Sequence, residues 1–301
     1  MSNTGQQPFS TKQLRQIARR LTMVENDLPG AMQLLANADL SRNTPIIGIT
    51  GPPGAGKSTL VNALIAELTT GSKKVAVLAV DPTSPFNHGS LLGDRIRMAA
   101  HFNNPNVFIR SIATRGSLGG LSARTIEMTD VLRAEGFDHI IVETVGVGQS
   151  EIEIAGLADI TLLVLVPESG DEIQNIKSGI MEIADAFIIN KADRDGADTY
   201  YNTLQKLLAQ SGKPMPIYKA IASQNKGMAE IAEFVSLQTH HPNPKRAMLL
   251  AEKAWQIIRD RRMANIDKKK LQQDIAEALT RDGFNLYQFL LNAKVEISNS
   301  K

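Results

Sequence analysis

Seven short apolar runs punctuate the chain between Ile46 and about Leu237, and helical patterns separate them. They cover residues 46–50, 74–80, 107–110, 138–143, 160–166, 186–190 and 216–219. None shows the apolar–polar alternation of a half-exposed strand, so each is expected to be buried on both faces. Strands of this kind, spaced by helices, predict an α/β fold with a doubly wound, mainly parallel sheet. Such a sheet holds its ligand at the C-terminal ends of the strands. Ahead of it, Leu14, Ile17, Ala18, Leu21 and Val24 recur at helical spacing, and so do Ala31, Leu34 and Leu35 beyond the Pro29-Gly30 break. Past His240–Lys245 the strand pattern stops, and 246–264, 268–281 and 285–292 read as helices. The expected organisation is an N-terminal helical extension (1–44), an α/β domain (45–240) and a C-terminal helical arm (241–301).

Composition narrows the classes. A chain of 301 residues suffices for one large α/β domain with helical additions. Its 33 Lys+Arg against 31 Asp+Glu give a net charge of +2, which argues neither for nor against nucleic acid as a bulk partner. The basic residues Lys12, Arg15, Arg19 and Arg20, and Lys268-Lys269-Lys270, read as solvated helix faces. The chain has no cysteine, which excludes disulfides and thiolate metal sites and suits a reducing cytoplasm. No apolar run approaches the ~20 residues of a membrane span. Met1–Gln7 lacks the basic-then-apolar plan of a secretion signal. A cytoplasmic protein with neither nucleic acid nor membrane as partner is expected.

The chemistry centres on the first strand. Ile46–Thr50 runs into Gly51-Pro52-Pro53-Gly54-Ala55-Gly56-Lys57-Ser58-Thr59, and an amphipathic helix follows over 60–68. Strand, glycine-rich turn, Lys-Ser and helix in this register make a phosphate-binding loop. Backbone N–H groups converge on phosphate oxygens, helped by the helix dipole. Lys57 is expected to reach the β- and γ-phosphates, and the Ser58 hydroxyl to ligate Mg²⁺. Asp81 ends the next strand, in Asp81-Pro82-Thr83-Ser84-Pro85, where a carboxylate can serve the metal or the attacking water; Asp94 in Gly93-Asp94-Arg95 offers a second. Glu143-Thr144-Val145-Gly146 also follows a strand. There the Gly146 N–H can sense the γ-phosphate while Glu143 faces the metal or its waters. Ras-like proteins carry a water-orienting Gln beside that glycine. Val147 stands in this slot, and whether Gln149 substitutes is open. Slow intrinsic hydrolysis is therefore expected. Asn190-Lys191-Ala192-Asp193 follows another strand and selects guanine, whose ring N–H and exocyclic amine both donate to the Asp193 carboxylate. Adenine offers no matching pair and would leave a buried acid unpartnered. The backbone at Ala222-Ser223 is expected to complete the base site.

Several stretches together resemble the MeaB/ArgK family of G-protein chaperones. They are Gly51–Thr59, Val80–Pro85, Leu92-Gly93-Asp94-Arg95-Ile96-Arg97-Met98, Arg115–Gly120, Glu143–Glu151 and Asn190–Asp193. The resemblance implies a P-loop GTPase of the SIMIBI class that binds GTP and GDP with Mg²⁺ and forms a homodimer through its C-terminal arm. It implies a B12-dependent acyl-CoA mutase as partner, typically methylmalonyl-CoA mutase, with GTP turnover coupled to adenosylcobalamin loading and protection from inactivation. Lys57 and Ser58 match the family's phosphate and Mg²⁺ contacts, and Asp81, Asp94 and Glu143 its metal and switch acids. Asn190, Lys191 and Asp193 match its guanine contacts, and residues 167–177 a third switch loop in which Lys177 turns toward the nucleotide. The Ser117, Gly119 and Gly120 loop reads either as a partner-contact surface or as an ordinary glycine turn. Asn87-His88-Gly89 and Ile221-Ala222-Ser223 depart mildly from the pattern. Two other readings are a nickel-delivery GTPase and a kinase or ATPase tied to basic amino-acid transport. The first needs Cys/His ligands, which an absence of cysteine and five scattered histidines do not supply. The second conflicts with the guanine-reading Asp193.

Overall fold

The computed structural model describes residues 7–81, 98–113, 124–144, 150–168, 183–210, 212, 215–237, 243, 245–263, 266–280 and 283–292. Its strands are β1 (Ile46–Thr50), β2 (Val75–Asp81), β3 (Val107–Ala113), β4 (His139–Glu143), β5 (Ile160–Leu165), β6 (Ala186–Ile189) and β7 (Ile217–Lys219). They form one sheet in the order β3-β2-β4-β1-β5-β6-β7, and every neighbouring pair is parallel. The doubly wound, parallel α/β fold read from the sequence is the fold observed.

Period-two side-chain alternation divides the apolar residues between two faces of this sheet. Ile47 and Ile49 of β1, Val77 of β2 and Ile141 of β4 pack with Leu60, Leu64 and Leu68 of α3 (Lys57–Leu68). Ile46, Leu78, Ile140 and Val142 turn to the other face and meet Ile17 and Leu21 of α1 (Thr11–Glu25). Met128 and Leu132 of α4 (Thr125–Ala134) and Ile154 of α5 (Ser150–Leu157) complete that layer. A third cluster joins Leu163, Phe187 and Ile189 to Tyr200 and Leu204 of α6 (Ala197–Gln210). The N-terminal helices are thus layers of the α/β core. Helix α1 opens with a reciprocal Ser10–Gln13 capping box, and the short α2 (Ala31–Ala36) follows it. Each large side chain that α1 buries contributes about 1.5–3 kcal/mol.

The strand entrances share one device. Asp138, Asp159 and Asp185 each stand one residue ahead of a strand, β4, β5 and β6 respectively. Their carboxylates accept the backbone N–H of Lys74, Ile46 and Thr161, at 2.8, 2.8 and 2.7 Å. Each acid closes the ladder of the neighbouring strand, where a buried N–H would otherwise lack an acceptor. Burial raises the carboxyl pKa of Asp185.

Helix α7 (Met228–Leu237) finishes the α3 layer. Residues Met1–Leu249 form one compact unit and Leu250–Lys301 a second. Helix α8 (Arg246–Arg262) begins in the first, while α9 (Lys268–Ala278) and α10 (Leu286–Asn292) lie in the second. Neither α8 nor α9 buries a single residue, and Trp255 is 62% exposed. No helix among the described residues is long and apolar enough to cross a membrane.

Candidate functional site

A parallel sheet delivers every strand's C-terminus to one edge, so the ends of β1, β4, β6 and β7 gather there. The loop after β1 is the phosphate-binding sequence. Gly56 caps α3 with φ +84°, and a Cβ there would stand 2.5 Å from the Asn190 amide nitrogen. Only glycine fits both the left-handed backbone and the close approach. Lys57 is buried, and its Nζ donates to the Gly51 and Pro52 carbonyls at 2.9 and 3.1 Å. The ammonium is thereby folded back over the loop it would serve.

The next residue faces β4. The Ser58 hydroxyl donates to Glu143 Oε1 at 2.7 Å, and both side chains are buried. Beside them the Thr144 hydroxyl donates to that of Thr50 at 2.9 Å, joining the ends of β4 and β1. Neither threonine belongs to a motif of its own. Their only signal was adjacency, Thr50 to Gly51 and Thr144 to Glu143.

From β6 comes Asn190, 3% exposed. Its side-chain N–H donates to Ala55 O at 2.9 Å, and its Oδ1 accepts the Ala222 N–H at 3.2 Å. One amide therefore bridges the phosphate-binding loop and the turn after β7. Lys191 adopts a left-handed φ of 55°, and its Nζ donates to Gly54 O at 2.8 Å. Its aliphatic stem lies across the loop. Asp193 follows in the same turn, and Ala222 and Ser223 lie in the single helical turn Ala222–Gln224. Arg194 pairs with Glu168, just beyond β5.

The structure thus brings Gly51–Thr59, Glu143, Asn190–Asp193 and Ala222-Ser223 to one rim, with β2 ending in Asp81 on the same edge. Asp94, Gly146, Gln149 and Lys177 lie outside the described residues, as do Ser117–Gly120 and Asn87–Gly89. Chemically, the rim offers backbone N–H groups at a helix start, a buried ammonium, a hydroxyl–carboxylate pair and a second loop hydrogen-bonded to the first. Those are the parts for holding a polyphosphate and a base together.

Comparison with known proteins agrees. The family described as methylmalonyl Co-A mutase-associated GTPase MeaB matches residues 17–279. A Pyrococcus abyssi protein that bears a GTPase name is 49% identical over 247 residues, covering 79% of this chain and 76% of its own. The GTPase ArgK of Escherichia coli is 43% identical over 205 residues, covering 65% of this chain and 62% of its own. A crystal structure described as a LAO/AO transport system kinase superposes with a TM-score of 0.62 at 26% identity, over 93% of this chain and 94% of that one. The rim geometry and these matches agree, and the chain belongs to the MeaB family of mutase-associated P-loop GTPases.

Proposed function

We propose that this protein binds GTP and GDP with Mg²⁺ at the C-terminal rim of its sheet, hydrolyses GTP, and serves a B12-dependent acyl-CoA mutase. The observation that carries the nucleotide reading is the Asn190 bridge. It holds the phosphate-binding loop through Ala55 and the base loop through Ala222 in one hydrogen-bonded frame. Guanine is then read by Asp193, whose carboxylate accepts two donors that adenine lacks.

Water attacks the γ-phosphorus and the bond to the β–γ bridging oxygen breaks, leaving GDP and phosphate. Lys57 exchanges its two carbonyl acceptors for β- and γ-phosphate oxygens, placing positive charge where negative charge develops. Ser58 and Glu143 supply adjacent hard oxygen donors, the set that Mg²⁺ prefers, and these residues would hold it directly or through water. When bound, Mg²⁺ neutralises charge on the phosphate oxygens. Asp81, Asp94, Gly146, Gln149 and Lys177 are proposed to complete the metal, sensor and switch functions.

The client follows from the family's own description, which ties it to methylmalonyl-CoA mutase. The C-terminal arm is proposed to pair with a second copy of the chain. Trp255, Ile258 and Leu291 on the arm's helices, and Leu279 at the end of α9, are 48–85% exposed. The test is GTP turnover with and without methylmalonyl-CoA mutase. Stimulation is expected. Turnover that the mutase leaves unchanged would refute the client, and absence of any GTP turnover would refute the enzyme.

A further inference from the structure

At the opposite edge of the sheet, where the strands begin, a cavity of about 280 Å³ opens beside β4. Arg42, Thr44, Lys73, Asp138, His139 and Ser236 line it. His139 is the first residue of β4 and is 3% exposed. Among the described residues neither of its ring nitrogens has a hydrogen-bond partner. A neutral imidazole carries one N–H donor and one acceptor, and leaving either unmet in a protein interior costs free energy. Buried polar groups without protein partners in native proteins call for an explanation, and a bound water or ion is one.

The charges around the cavity are lopsided. Arg42 is committed: it donates to Asp138 Oδ1 at 2.7 Å and to Gly136 O at 3.1 Å. Asp138 also accepts the Lys74 N–H. Lys73 makes no ion pair among the described residues, yet its ammonium lies close enough to disfavour a proton on His139. The adjoining depression beyond Lys73 is walled by Glu67 and Glu233, which repel negative charge from that side. The pocket therefore presents one cation that makes no ion pair among the described residues, and one unsatisfied imidazole, to the same space.

We propose that this cavity is a second ligand site, separate from the nucleotide rim, which takes an oxyanion between the Lys73 ammonium and the His139 imidazole N–H. Carboxylates and phosphates share the required chemistry of a negative charge on accepting oxygens. His139 lines the cavity, and the ligand's charge offsets the Lys73 field that opposes protonation of its ring. Without a ligand His139 is pushed down to about 4, chiefly through burial and then through Lys73, with Asp138 opposing. A bound anion raises it.

The test is nuclear magnetic resonance of the histidine rings in the full chain, kept saturated with GDP and Mg²⁺. Inorganic phosphate and acetate are titrated separately against sodium chloride of equal ionic strength. His139→Gln identifies the His139 resonances by their disappearance. The expected result is a saturable shift of those resonances in the millimolar range with at least one oxyanion, an upward move of the His139 pKa by one unit or more, and loss of both in Lys73→Met. Response to phosphate alone identifies a phosphate site, and response to acetate a carboxylate site. His139 resonances that follow chloride and both oxyanions alike, or that respond equally in Lys73→Met, would overturn the proposal. Because Lys73→Met alters an exposed residue, it tests the site without threatening the fold.

Discussion

Replacing Gly56 by alanine isolates the contact on which the two nucleotide loops depend. Gly56 has φ +84°, a conformation that costs an alanine roughly 1 kcal/mol. The new methyl would stand 2.5 Å from the Asn190 amide nitrogen, closer than a contact permits, so the amide must move. Asn190 is 3% exposed and has no solvent to swing into. Its displacement breaks the bonds to Ala55 O and from the Ala222 N–H, at about 0.5–1.5 kcal/mol each. The sum is about 2–4 kcal/mol. Gly54 supplies the control: its φ is +79°, but a Cβ there meets nothing within 4 Å. Gly54→Ala should therefore cost only the backbone strain, roughly 1 kcal/mol. Thermal unfolding of the nucleotide-free proteins reads both. Gly56→Ala should melt clearly below Gly54→Ala, and Asn190→Ala should remove most of the difference between the two glycine variants. Equal melting of Gly54→Ala and Gly56→Ala would refute the assignment of the Asn190 bridge as a structural link.

Other outcomes follow from the same geometry. Lys57→Met keeps the aliphatic stem and should keep the fold, giving up the bonds to the Gly51 and Pro52 carbonyls, while GTP turnover falls by about 10²-fold or more; turnover within a few-fold of the parent would contradict its role. In buffers free of oxyanions, His139 has a folded pKa of about 4 against 6.5 ordinarily, so between these values the unfolded chain binds a proton that the folded one refuses. Stability should then fall as pH drops from 6.5 toward 4, by up to roughly 3 kcal/mol, and His139→Gln should flatten that slope. Asp130 and Asp185, both raised by burial, act in the opposite sense in both proteins and cancel in the comparison. On the proposed pairing through the arm, Trp255→Ser, with Leu279→Ser if one change is too mild, should lower the sedimentation coefficient; an unchanged coefficient would count against that pairing.

Most of the sheet was legible because buried parallel strands leave unbroken apolar runs, as in Ile46–Thr50 and Ile160–Leu165. Strand β3 was read as ending at Arg110, yet it continues to Ala113. Arg110 looks like a strand end, but its guanidinium reaches Glu25 and Ala18 O of α1, partners 85 and 92 residues away. No local pattern announces them. Pairing of β3 with β2 carries on through Asp81↔Ala113. At the rim, Lys57, Ser58 and Asn190 were legible because phosphate and guanine recognition fix residue spacing within one turn. The Thr50–Thr144 hydroxyl contact was not, since it joins residues 94 apart. His139 was one of five scattered histidines, and only the burial of its ring and the cavity beside it single it out.

The central claim is that one rim of this sheet holds a guanine nucleotide, with its phosphates on the Gly51–Thr59 loop and its base at Asp193. Equilibrium titration with GDP and with ADP, each with Mg²⁺, tests it most directly. GDP should bind more tightly by about 10³-fold or more, because adenine leaves the Asp193 carboxylate without its two donors, and Asp193→Ala should erase most of that preference. Equal affinity for the two nucleotides, or tighter binding of ADP, would contradict the account.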